Sequence, residues 1–79
     1  MDVTDTYFAG ICQRARGSEE FIVDGYGLGR SMGLSDVQIL EIAEGLAAEG
    51  FIEEETVHGG DIVIRLTAKG VARCRERAM

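Results

Sequence analysis

Residues 28–70 read LGRSMGLSDVQILEIAEGLAAEGFIEEETVHGGDIVIRLTAKG, and the punctuation of this stretch decides the fold. Ser35 and Gln38 have the S-x-x-Q spacing of a capping box, in which each side chain satisfies a backbone N–H that the first helical turn leaves free. Leu34 and Ile39 flank that box as a hydrophobic staple. Ile39, Ile42, Ala43 and Leu46 then recur on one face of a helix. Gly50 supplies the left-handed residue that ends it, as Gly33 does for a shorter helix before it.

Downstream, Phe51–Val57 and Asp61–Leu66 read as a hairpin. Ile62, Ile64 and Leu66 alternate with Val63 and Arg65, the pattern of a half-buried strand. A two-residue Gly59-Gly60 turn pairs Glu54 with Arg65, whereas a three-residue His58-Gly59-Gly60 turn pairs Glu53 with Arg65; the residues permit both. Thr67 caps a final helix, with Leu66 and Val71 as its staple and Val71, Cys74 and Ala78 as its inner stripe. Upstream, Val3, Tyr7, Phe8, Ile11, Cys12 and Ala15 predict a helix over about Asp5–Arg16, with Gly17 as its C′ residue. Glu20–Val23 is a short β-like run. A second helix over Tyr26–Met32 contains Gly27 and Gly29, each costing about 1 kcal/mol against Ala in a helix interior. Close approach to the next helix justifies Gly29; no such reason is visible for Gly27.

This order, α–β–α–α–β–β–α, resembles the winged helix-turn-helix domain of the MarR and PadR groups of transcription regulators. The resemblance rests on Leu28, Gly29, Met32, Gly33, Leu34, Ser35, Ile39, Leu46, Gly50, Ile52, Leu66, Thr67 and Gly70. It implies an α+β fold: one winged helix-turn-helix domain over residues 1–79, with a three-helix core, a wing sheet of two to three strands and a C-terminal helix. It also implies a DNA-binding, regulatory function. Fold does not carry function by itself.

Composition bounds the alternatives. With 46% hydrophobic and 28% charged residues in 79, the chain is a globular domain near the lower limit for a self-sufficient core. No apolar run approaches a membrane span and the acidic N-terminus does not read as a signal peptide, so a cytoplasmic location without membrane contact is the expectation. Cys12 and Cys74 lie far apart without a metal-ligand or redox spacing and read as two small buried hydrophobes rather than a disulfide. Gly25-Tyr26-Gly27-Leu28-Gly29 lacks the preceding buried strand of a nucleotide site. A single His58, read as an exposed turn residue, and the surface run Glu53–Glu55 assemble no catalytic or metal constellation. No enzyme activity, cofactor or small-molecule substrate is expected.

Charge complicates the DNA reading. Residues 1–56 hold three arginines against twelve acids, a net of −9, and residues 57–79 hold five bases against two acids, a net of +3, within a total of −6. The helix that enters the major groove in the resembling family carries Asp36, Glu41 and Glu44 here and no base. Each would cost ~1 kcal/mol or more beside a phosphate. Two function classes follow; the resemblance favours the first, which is the reading adopted from the sequence, and the charge map favours the second as the alternative. In the first, a dimeric regulator meets duplex DNA through Arg30, Arg65 and Lys69, with Ser35 and Gln38 as further candidates on the reading helix. In the second, Val37 and Leu40, pointing outward among Glu41 and Glu44, meet a protein partner. A homodimer is expected through the first and last helices, with Tyr7 and Ile11 as interface residues and Arg73 and Arg77 facing Asp2 and Asp5 of the second copy.

Overall fold

The capped helix read from the sequence is the second long helix of the computed structural model, which describes residues 2–78. Helix α3 runs Asp36–Ala48. The Ser35 hydroxyl accepts from the Gln38 N–H at 3.2 Å, and the Gln38 side-chain oxygen accepts from the Ser35 N–H at 2.9 Å. Both halves of the capping box are therefore present. At the other end Gly50, at φ +84°, sits in a Schellman arrangement: the Phe51 N–H reaches the Leu46 carbonyl and the Gly50 N–H the Ala47 carbonyl.

Around α3 the chain forms α1 (Val3–Arg14), β1 (Val23–Asp24), α2 (Gly25–Ser31), β2 (Ile52–Thr56), β3 (Ile62–Leu66) and α4 (Ala68–Arg77). The architecture is α+β, with four helices and one antiparallel three-stranded sheet in the order β1-β3-β2. Ile39, Ile42, Ala43 and Leu46 from α3 join Tyr7, Phe8, Ile11 and Ala15 from the first helical segment, Leu28 from α2, and the inward residues Val23, Ile52, Ile62, Ile64 and Leu66 from the sheet. The Tyr7 hydroxyl donates to the Gly25 carbonyl at 2.8 Å, tying α1 to the start of α2. Burial, with lesser contributions from Asp24, Glu54 and Tyr26, pushes its ionisation well above the ordinary tyrosine value.

The hairpin selects one of the two registers. Glu53 faces Arg65 and Thr56 faces Ile62. Val57 and Asp61 continue the pairing through a 2.8 Å bond, leaving His58-Gly59-Gly60 as a three-residue loop. Gly59 and Gly60 both adopt positive φ, a conformation that other residues resist.

Five expectations are corrected. Helix α1 starts at Val3 because Asp2, not a later residue, accepts from the Thr4 N–H as N-cap. It ends at Arg14, two residues early: Arg16, at φ +54°, occupies the left-handed C′ position and Gly17 is the residue after it, donating to the Cys12 carbonyl. Val3 is exposed rather than part of the buried stripe. The β-like run shrinks to Val23–Asp24, because Phe21 and Ile22 lie on the surface with 43% and 58% exposure. Ala78 is exposed, so α4 buries only Gly70 and Cys74; Met79 lies outside the described residues.

Gly27 does have a structural reason. The Asp24 carboxylate caps α2 by accepting from the Gly27 N–H at 3.0 Å, and a Cβ on Gly27 would fall 2.4 Å from that carboxylate. The cap and the side chain compete for the same space. Gly29 behaves as expected: its Cβ would lie 2.2 Å from Ile39 Cγ1, so the crossing of α2 and α3 depends on its absence.

The largest departure concerns the cysteines. Cys12 and Cys74 form a disulfide, closing a sequence separation of 62 residues, with their Cα atoms 5.7 Å apart. Helices α1 and α4 pack side by side, which brings together two residues that the sequence leaves unrelated.

Candidate functional site

Burying Ile39, Ile42, Ala43 and Leu46 fixes the opposite side of α3 in solvent. Asp36, Val37, Leu40, Glu41 and Glu44 are all exposed there. Val37, at 68%, is the most exposed large apolar residue among those described, and Leu40 is 37% exposed. At helical spacing Val37 neighbours Leu40 and Glu41, and Leu40 neighbours Glu44. The result is a two-residue apolar spot edged by carboxylates. Gly45 lies near this face with no atom within 4 Å of where its Cβ would stand.

The bases nearest this face are already engaged. Arg30, from α2, grips Asp36 through two hydrogen bonds of 3.0 and 2.9 Å, and its guanidinium lies 5.2 Å from the centre of the Tyr26 ring. The pairing holds the Asp36 carboxyl below the usual range and raises Arg30 further, in both cases chiefly through that hydrogen bond. Both side chains are exposed, so the pair contributes little to stability. It does fix where the charges point.

Ser35 and Gln38 bond to each other's backbone N–H groups, which occupies the Gln38 side-chain oxygen with the helix end. Arg65 projects from the outward side of β3, directly opposite Glu53. Lys69 reaches back from the first turn of α4 to the Glu49 carbonyl at 2.6 Å, with its ammonium 4.7 Å from the centre of the Phe51 ring. Arg30 thus marks the start of α3 and Lys69 its far end. Thirteen residues of helix separate the two contacts, about 20 Å at 1.5 Å per residue. Of the nucleic-acid candidates, Arg30, Ser35 and Gln38 gather at the start of α3, whereas Lys69 sits at its far end.

Tyr7 and Ile11 are fully buried within the chain. They are core residues, and a second copy cannot reach them while the chain is folded. Arg77 approaches Asp5 of its own chain at 4.0 Å, and Arg73 pairs with Glu76 at 3.1 Å. The apolar surplus and split charge that argued for a dimer through α1 and α4 are largely taken up inside one molecule.

One carboxylate escaped sequence reasoning. In the observed register Glu54 lies opposite Ile64, on the inward side of the sheet, and its Oε2 is buried without a hydrogen-bond partner. Desolvation raises its pKa above the ordinary carboxylate value, and Glu44 of α3 adds to the shift. The hairpin register is the signal that exposes it: the two-residue turn would have put Glu54 opposite Arg65.

Among the described residues no cluster of three or more His, Cys, Asp or Glu side chains is placed to hold a metal ion. No helix among them is long and apolar enough to cross a membrane. Set against known proteins, the chain matches no family model, no curated protein and no solved structure.

Proposed function

We propose that this chain is a winged helix-turn-helix module that uses the outward face of α3 to dock on a protein rather than to read duplex DNA. The element order and the β1-β3-β2 sheet, with its β2–β3 hairpin as the wing, support the winged-helix assignment. The observation that carries the functional reading is the pairing of exposed Val37 and Leu40 with Glu41 and Glu44 on the helix that would otherwise enter the major groove.

The partner is defined by complementarity. It presents apolar side chains ringed by Lys or Arg, in the manner of a basic amphipathic helix. Apolar contact with Val37 and Leu40 supplies affinity, while the carboxylates set orientation and repel acidic competitors. Duplex DNA suits this face poorly, since its phosphates carry the same sign and four of the eight basic residues sit on α4 instead.

A synthetic amphipathic Leu/Lys peptide is the probe. It should bind wild type and lose at least tenfold in affinity to Val37→Glu, which leaves the core untouched. Random duplex DNA at about 150 mM salt, where the Debye length is near 8 Å, should bind more weakly than the peptide. DNA binding strengthened by Glu41→Gln with Glu44→Gln, together with peptide binding indifferent to Val37, would return the chain to the DNA-binding class.

A further inference from the structure

Helix α4 is weakly held beyond its first turn. Its N-terminal end is secure: the Thr67 hydroxyl accepts from the Gly70 N–H at 3.0 Å, and Gly70 lies so close to the Phe51 carbonyl that a Cβ there would clash at 2.0 Å. Val71 is half-buried. From Ala72 to Arg77 every residue except Cys74 is exposed. Arg77 meets Asp5 only at 4.0 Å, and such exposed pairs contribute little. A helix of ten residues does not sustain itself in water without packing. The C-terminal half of α4 is thus joined to the body chiefly by one side chain, and that side chain is covalently bonded to Cys12 of α1.

We propose that the Cys12–Cys74 bond is a redox-operated clasp that holds the C-terminal half of α4 against α1. Its two sulfurs differ in access: Cys74 is 7% exposed, while Cys12 is half-buried and presents the more open side. A dithiol reductant attacks the Cys12 sulfur with one thiolate. A new S–S bond forms between reductant and Cys12 as the Cys12–Cys74 bond breaks, and Cys74 leaves as a thiolate that takes a proton from water. The second thiolate of the reductant attacks its own sulfur in that mixed disulfide and frees Cys12. Two electrons pass from the reductant, which leaves as a disulfide; a disulfide oxidant reverses the sequence.

Release has a defined consequence. Asp5, Phe8, Phe51, Lys69 and Arg73 line a cleft of about 620 Å³ between α1, the α3–β2 corner and α4. Residues 72–77 move off α1, carrying Arg73, Arg75 and Arg77 with them, and the cleft opens onto Phe8 and Cys12. The clasp is independent of any role for the α3 face.

Backbone amide order parameters of the oxidised chain, of the chain reduced with dithiothreitol, and of Cys74→Ala without reductant test this. On reduction, values for residues 72–77 should fall from about 0.85, typical of rigid backbone, to below about 0.6, while residues 36–48 and 52–66 stay rigid. Cys74→Ala should match the reduced chain, and oxidised glutathione should restore the reduced wild type. Unchanged order in 72–77 on reduction would overturn the clasp, as would a rigid 72–77 in Cys74→Ala. Loss of order throughout the chain would also overturn it, because the bond would then staple the whole fold instead of one helix.

Discussion

Gly29 and Gly45 are both helical glycines, and their surroundings assign them opposite roles. At Gly29 a methyl group would meet Ile39 at 2.2 Å, whereas at Gly45 it would meet nothing. Gly29→Ala should therefore destabilise the chain by more than about 1 kcal/mol, since α2 and α3 must separate to admit the methyl. Gly45→Ala should stabilise it by about 0.5–1 kcal/mol, through helix propensity and a less disordered unfolded chain. Urea unfolding of the two variants checks the signs; destabilisation by Gly45→Ala would mean that this position already contacts something within the fold. Gly45 borders the exposed face of α3, and a flexible, low-propensity residue there fits a surface kept open for a partner.

At the scale of elements, the sheet edge explains a residue that seems misplaced. Strand β2 lies at the edge and carries Glu53, Glu54 and Glu55, with Glu54 turned inward beside Ile64. Charges on both sides of an edge strand discourage pairing with another chain, at a cost in stability. The sign of that cost follows from the raised Glu54 pKa. The folded chain favours the protonated form, so the carboxyl's relative contribution is greatest below the ordinary glutamate value near 4.3 and is lost as pH rises through the higher folded-state value. Glu54→Gln should accordingly add stability at pH 7, by about 0.5–1 kcal/mol for a half-buried group, and lose that advantage as the pH falls toward 4. A variant less stable than wild type at pH 7 would show that the ionised carboxylate has a compensating partner.

The elements that sequence reasoning located best are those whose ends are local chemistry. The capping box of α3, the Gly33 and Gly50 stops, the Thr67 cap and the buried stripe of α3 depend on residues a few positions apart, and each is found where the pattern puts it. What failed depends on distant neighbours. The Gly27 requirement is the exception: its Asp24 cap lies only three residues away, but Asp24 reads as an ordinary acid in the sequence. The burial of Tyr7 and Ile11 shows that a stripe too wide for one helix contact is filled by the sheet and α2. The outward placement of Val37 and Leu40 was legible, because the inward stripe leaves them no other side.

For the whole molecule, the disulfide is the least legible feature and the largest single constraint. Closing 62 residues removes unfolded-chain freedom corresponding to about 4 kcal/mol in the loop-entropy description. Reduction should lower the urea-unfolding free energy by about 2–4 kcal/mol, less than the full figure because α4 is already loosened in the reduced folded state. A change below about 0.5 kcal/mol would mean that the bond constrains neither state. The same bond anchors the basic C-terminal helix beside the acid-rich start of the chain, while Glu41 and Glu44 on the outward face of α3 take part in no ion pair among the described residues.

That face carries the central claim, and amide chemical-shift mapping tests it most directly. The chain is titrated at about 150 mM salt with the amphipathic Leu/Lys peptide and, separately, with random duplex DNA. The account predicts that the peptide moves the amides of Asp36–Glu44 and that Val37→Glu abolishes those shifts, while DNA moves them less at equal concentration. Larger shifts from DNA over Asp36–Glu44 and the β2–β3 hairpin, with the peptide leaving Asp36–Glu44 unmoved, would contradict it.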